Sequence, residues 1–406
     1  MVTDWKFFLV EHGVDPDYGF LLTPFPEVSL SSYFAPWDQA ALHLPEWIEN
    51  GSVAEEAGKL PFKDPGRISS KGEMERAMLV LSFLGSAIVH TSADASPLIP
   101  RNISVPWRYI ATRLGRPPVL SHASAVLANW KRTGNMGVVS LGNIEPLVTF
   151  TRTEDEKWFY MVTVEIESQA AEAIAAVALA LEYTTTRNSE NILQQLKVVR
   201  NAVRMMTTTL KRMKEKCDPS VFYSGIRPFL SSFKDVRYDL GGRTVTESWH
   251  GGSAAQSAVL QFLDAGMGIE HTEPKSSAYM KEMLNYMPPQ HATIVRKLKQ
   301  GSPLKDYCSS ESTLQFFYDK AVETIHDFRT EHFKIAHEYI IAQAKAEEGV
   351  IGTGGTELSS FLKSMRDDTK KKVTKLITLF TLKQHPNLFM ANPYINVMKN
   401  SFLLQI

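Results

Sequence analysis

Three histidines share the stretch "HDFRTEHFKIAHEYI" (326–340), which has the composition of a helix. At roughly 100° per residue, His332 lies about 240° round from His326 and His337 about 140° beyond His332, so the three cannot converge on one ion. His332 and His337 are five apart, whereas a helical zinc pair needs the i,i+4 spacing of H-E-x-x-H, which argues against a zinc protease. Their neighbours separate them: Val322, Ile325, Phe328, His332, Ile335, Ala336 and Tyr339 recur at three- and four-residue steps, the buried stripe of an amphipathic helix, and of the three histidines only His332 lies in it. Two roles follow for a lone imidazole in an apolar wall. It is a core histidine satisfied by its neighbours, or it is the single axial ligand of a haem iron, with Arg329 one turn earlier in reach of a propionate.

A second residue suited to chemistry is Arg227, in "DPSVFYSGIRPFLSSF". Asp218 and Pro219 open a helix as N-cap and first-turn proline, and Pro228 disfavours helical geometry at Arg227, leaving a guanidinium at a break among aromatic residues. Its planar fork suits the carboxylate of an amino acid, and it suits equally the carbonyls that Pro228 frees. The glycine loop "GVIGTGGTELSSFLKSM" (349–365) lacks the lysine and spacing of a phosphate loop and reads as a turn leading into a helix capped by Thr356. No G-x-S-x-G elbow occurs, and neither Cys217 nor Cys308 has an identifiable histidine partner.

These residues require helices to position them. The segment 189–216 keeps Ile192, Leu196, Val199, Val203, Met206, Leu210 and Met213 on one stripe. In "PLVTFTRTEDEKWFYMVTVEI" the residues Phe159, Thr163, Ile166, Ala170, Ala173, Val177 and Leu181 form another, which predicts a short strand near 147–152 and a long helix from about 158, with Phe159 and Thr163 on one face. The Pro- and aromatic-rich N-terminal stretch predicts short wrapping helices and turns, and 240–256, "LGGRTVTESWHGGSAAQ", reads as a flexible glycine-rich connection.

The chain has 406 residues, 44% hydrophobic, enough for a large core and two domains. With 44 basic and 44 acidic side chains and no basic block, it lacks the electrostatic footprint of a nucleic-acid binder. Two cysteines in no C-x-x-C arrangement point to a reducing compartment, "MVTDWKFFLVEHG" does not read as a signal peptide, and "AIAAVALAL" is too short to cross a bilayer, so the expectation is a cytoplasmic protein without a membrane span.

Six stretches, in order, resemble the indoleamine 2,3-dioxygenase family: "PRNISVPWRYIATRLGRPPVLSHASAVLANWKR", "FYSGIRPFL", "GGSAAQSAVLQFLDAGMGIEH", "MPPQHATIVRKL", "FRTEHFKIAHEYI" and "GTGGTELSSFLKSMRDDT". The resemblance runs from about residue 10 to 375. It implies an all-α fold, with a small N-terminal domain (1–150) and a large helical domain (151–406) holding one haem b between them. His332 then matches the iron ligand, and Arg329 the arginine that holds a propionate. Asp264 matches an acidic position linked to haem binding, and Gly252, Ser253 and Ala254 the loop over the haem edge. Phe159, Phe222 and Arg227 match positions that pack the indole and bind the substrate carboxylate, with Tyr223 beside them; Thr353 matches a threonine in a segment that orders on substrate binding.

The sequence departs from vertebrate members at Thr163, where they commonly carry Ser, and at His122 and Ala125, which fall where they carry Tyr and Cys. His122 is thus expected in the substrate pocket with altered polarity. The implied activity is haem-dependent oxidative cleavage of L-tryptophan, or a related indoleamine, by O2 to N-formylkynurenine, the first step of the kynurenine pathway, in a monomer served by an electron donor. The alternative is an oxygen-binding haem protein like the molluscan myoglobins that share this resemblance, with His122 near bound oxygen.

Overall fold

The computed structural model describes residues 4–23, 25–134, 137–344 and 350–373. Its N-terminal part runs through short helices as the composition predicts: α1 (Trp5–Glu11), where Asp4 accepts the Phe7 amide, α2 (Ala35–Glu49), with Pro36 in its first turn, and α3 (Val53–Lys59). Helices α2 and α3 pack on α4 (Lys71–Thr91), which is buried on every side from Arg76 to Val89 and so lies inside the body rather than on it. Helix α5 (Arg101–Leu114) crosses α4 at Gly85, where a Cβ would come within 2.1 Å of the Trp107 ring; only glycine permits that approach.

Helix α6 (Glu154–Thr186) begins ahead of the predicted start near 158, because Thr153 caps it and Glu154, Asp155 and Glu156 fill its first turn. The expected strand at 147–152 is absent. The amides of Leu147 and Val148 donate to Asn129 Oδ1 (3.1 and 2.8 Å), and those of Phe150 and Thr151 to the Glu156 carboxylate (2.9 and 2.6 Å), so side chains satisfy this backbone where a partner strand would. Helix α7 (Ser189–Lys211) buries the predicted stripe against α6, and Asn188 caps it.

After the single turn α8 (Pro219–Val221), the segment read as flexible proves partly extended. Strands β4 (Phe233–Asp239) and β5 (Thr244–Trp249) form a hairpin turning at Gly241 (φ +72°) and Gly242 (φ +103°), with the two-residue β1 (Leu98–Ile99) parallel to β4. A register shift between Phe233 and Val236 breaks the alternation that would have marked β4 in the sequence. The two-residue strands β2 (Lys131–Arg132) and β3 (Ile144–Glu145) form the remaining ladder. Helices α9 (Ala258–Met267), α10 (Pro274–Met283), α11 (Pro289–Leu298) and α12 (Leu304–Ser309) lead to α13 (Ser312–Ala336), which packs on α7 and on α14 (Leu358–Lys370). Glu357, not Thr356, caps α14, accepting the Ser359 and Ser360 amides. The chain is all-α apart from these short strands, and among the described residues no helix is long and apolar enough to cross a membrane. The apolar tail expected to pack on the body lies outside the described residues from 374 onward.

Candidate active site

Four-residue steps along α6 place Phe159, Thr163 and Glu167 on one face. Trp158, Tyr160, Met161 and Val162 are buried, whereas Phe159 and Thr163 are half-buried, so this face is open at its N-terminal end and buried at Glu167. Thr163 donates its hydroxyl to the Phe159 carbonyl one turn back (3.0 Å). Opposite Phe159 stands Phe222, ring centroids 4.8 Å apart and tilted by 42°. Phe222 is delivered by the turn that follows α8: Asp218 caps it, residues 222–226 widen into a π turn, and a 3-10 turn from Arg227 carries Pro228. Arg227 lies over the Tyr223 ring (5.2 Å) and donates from Nη2 to the Ile351 carbonyl (2.6 Å). Its Nε is buried without a partner, and burial lowers the guanidinium pKa against the opposing influence of Tyr223.

Ile351 belongs to the second glycine loop, and the rest of that loop closes a ring of contacts. Thr353 donates its hydroxyl to the Gly252 carbonyl (2.6 Å), and its own carbonyl accepts from Ser232 (2.9 Å). At Gly354 a Cβ would stand 2.0 Å from the Tyr279 hydroxyl, so the loop seats only because that residue has no side chain. Gly252, Ser253 and Ala254 lie between the hairpin and α9, where Gln256 donates to the Gly251 carbonyl (2.8 Å) and accepts the His122 amide (2.9 Å). The His122 ring itself turns to α6, with Nε2 2.8 Å from Glu167 Oε1, which also accepts from Ser257 (2.6 Å). Both His122 and Glu167 are buried, and Glu167 Oε2 has no partner.

The wall continues through Tyr339, in the π turn (His337–Ile341) that follows α13; its ring lies 5.9 Å from Phe222. Among the described residues no group hydrogen-bonds to either His332 nitrogen; the side chain remains partly accessible although burial, with Arg329 nearby, pushes its imidazole down to about 4. Burial thus favours the neutral imidazole, the form that can serve as an axial ligand. His326 contacts Asp327 (3.5 Å) and His337 is exposed, so the three rings do point apart. Arg329 donates from Nη1 to Thr369 (2.7 Å) and from Nη2 to Asp264 Oδ2 (2.6 Å), so both terminal nitrogens are engaged inside the protein. Three surface clefts, of about 560, 390 and 370 Å³, include none of these residues.

Phe159, Thr163, Phe222, Tyr223, Arg227, Thr353, Gly252, Ser253, Ala254 and His122 thus fall along one run of contacts and neighbouring turns, and Asp264 with Arg329 in a second, while His332, three residues after Arg329 on α13, has no hydrogen-bond partner among the described residues. Residues 8–372 match the family described as indoleamine 2,3-dioxygenase, and the chain belongs to that family. It is 33% identical over 390 residues to human indoleamine 2,3-dioxygenase 2, covering 90% of this chain and 95% of that protein. It is 28% identical over 421 residues to the Saccharomyces cerevisiae indoleamine 2,3-dioxygenase (89% and 92% covered). It is also 28% identical over 379 residues to a myoglobin of Haliotis madaka (89% and 98% covered).

Sequence reasoning did not find Glu167, the Ile351 carbonyl or His271, which contacts Asp264 Oδ2 at 2.8 Å. Glu167 did leave a signal, a carboxylate four residues after Thr163 on a buried face. A backbone carbonyl leaves none.

Proposed function

We propose that the chain is a haem-dependent dioxygenase that cleaves the indole ring of L-tryptophan to N-formylkynurenine with both atoms of O2, the first step of the kynurenine pathway, as a cytoplasmic monomer. The observation that carries this reading is the unpaired, buried Nε of Arg227, five residues after Phe222 of the Phe159–Phe222 pair: a half-buried cation with a desolvated donor near an aromatic pair fits an aromatic amino acid. The substrate carboxylate would take Arg227, and the two phenylalanines set the angle of the indole. The loop carrying Thr353 excludes water, with Gly252, Ser253 and Ala254 as its seat. The hydroxyl proton of Thr163 is committed to its own helix, so that side chain shapes the chamber rather than supplying a proton. His332 would hold the haem iron, and Asp264 and Arg329 would secure the helix behind it. When bound, haem supplies the activation of dioxygen; the protein supplies orientation. An electron donor keeps the iron ferrous.

The likeness to a Haliotis myoglobin favours a second reading, an oxygen-binding haem protein with little turnover. The His122 ring is engaged by Glu167, which weakens its claim to contact bound oxygen, and an oxygen store has no use for an arginine facing a carboxylate. The test is to load the purified chain with haem, reduce it with L-tryptophan in air, and follow product by near-ultraviolet absorbance and mass. Sustained N-formylkynurenine formation stoichiometric with tryptophan loss is expected; a stable oxygen complex without product would establish the carrier.

A further inference from the structure

Behind His332 the helices meet in a buried polar cluster. Asp264, in the last turn of α9, is 3% exposed, and its Oδ2 accepts from Arg329 Nη2 (2.6 Å) and contacts His271 Nε2 (2.8 Å). An ionised carboxylate only accepts, so His271 Nε2 carries the proton and donates. The other His271 nitrogen, Nδ1, is buried without a hydrogen-bond partner, 3.9 Å from Asp368 Oδ2 on α14. Asp368 in turn accepts from the Thr272 amide (2.9 Å) and Lys371 Nζ (2.7 Å), while the neighbouring Thr369 accepts from Arg329. His271 therefore stands between two carboxylates from two helices: Asp264 holds Arg329 of α13 directly, and Thr369, the residue after Asp368, accepts from the same guanidinium.

We propose that His271 is a positioning residue for haem binding: by fixing the Asp264 carboxylate it fixes Arg329, and so sets the rotation of α13 that aims His332. This rests on the haem reading of the site. Arg329 precedes His332 by three residues and lies on a similar side of the helix, so anchoring one restrains the other. Without a second donor Asp264 would keep one restraint in place of two, and its Oδ1 already lacks a partner. Burial by itself would raise the Asp264 pKa; Arg329 and His271 overcome it and hold the carboxyl at about 2, consistent with a carboxylate that stays ionised to serve as the anchor. The cluster also joins the two sides of the site, because α14 starts where the loop that binds Arg227 and Gly252 ends.

Haem loss from the holoprotein to an excess of apo-globin, followed at the Soret band, tests this together with the ferric–ferrous midpoint potential. His271→Ala is expected to lose haem about tenfold faster than the parent and to shift the midpoint, and His271→Gln, which retains an N–H donor, to recover most of both. A variant that merely loosens the fold would lower the unfolding temperature and leave the midpoint in place, and that result overturns the assignment, as would parental values of both quantities in His271→Ala. Should His271→Ala not fold, Asp368→Asn is read in the same assay. A smaller change in the same direction supports the role and no change overturns it. A parent chain that takes up no haem would overturn the haem reading itself, which separates the two failures.

Discussion

The substrate side and the side behind His332 are built by opposite means. Around Arg227 the ties are hydrogen bonds to backbone carbonyls, those of Ile351, Gly252 and Thr353, made by half-buried side chains on turns and glycine loops. Behind His332 they are charged, buried and carried on helices: Asp264, Arg329 and Asp368, the last also held by the exposed Lys371. Single bonds from partly exposed side chains to loop carbonyls contribute little each and can be exchanged, whereas a buried ion pair is costly to break from one side. A region that must admit substrate and release product suits the first construction, and one that must hold a ligand at fixed angle suits the second.

That contrast is most severely tested at His332. His332→Ala should abolish stable haem uptake, seen as loss of the Soret band while helix content persists; an unaltered haem spectrum would remove His332 from its role. Arg329→Ala leaves the Asp264 charge buried against His271 alone and should cost about 3–5 kcal/mol of stability in denaturant unfolding. The same pair sets an acid limit. The Asp264 carboxyl is held at about 2 in the folded chain against an ordinary 3.8, so its stabilisation is present above about pH 4 and lost as pH falls towards 2. Unfolding measured across that window should show the loss in the parent and not in Asp264→Asn.

On the substrate side the expected effects are confined to substrate. Arg227→Ala should weaken transition-state binding by about 2–5 kcal/mol, read as a fall in kcat/KM with haem retention unchanged. An unchanged kcat/KM would instead make Arg227 a structural partner of the Ile351 carbonyl. Thr353→Ala removes one neutral hydrogen bond to Gly252 and should cost about 0.5–1.5 kcal/mol in kcat/KM, with Thr353→Ser restoring it. If Thr353→Ala speeds haem loss as much as His271→Ala does, the two sides are not separately built.

The helices of the site were legible because their stripes are local. The stripes of α6, α7 and α13 are visible from side-chain spacing alone, as is the placement of Phe159 with Thr163 and the burial that surrounds His332. The β4–β5 hairpin was not, because the bulge near Asp235 breaks its alternation and its glycines suggest flexibility. The backbone at 147–152 misled for the complementary reason: its β-prone residues are real, yet Asn129 and Glu156 satisfy its amides. The cap of α14 differed by one residue, Glu357 in place of Thr356, since neighbouring polar side chains can reach the same amides.

The sequence by itself determined the helical class, the stripe that singles out His332 and, through its ordered motifs, the family. Only the tertiary structure decided what each polar group faces: His122 on Glu167, 45 residues away; Arg329 on Asp264, 65 away; Arg227 on the Ile351 carbonyl, 124 away. Periodicity follows from the geometry of a single helix, so it can be read along the chain. The partner of a buried donor is whichever acceptor packing brings within about 3 Å, and that is fixed by all the elements together.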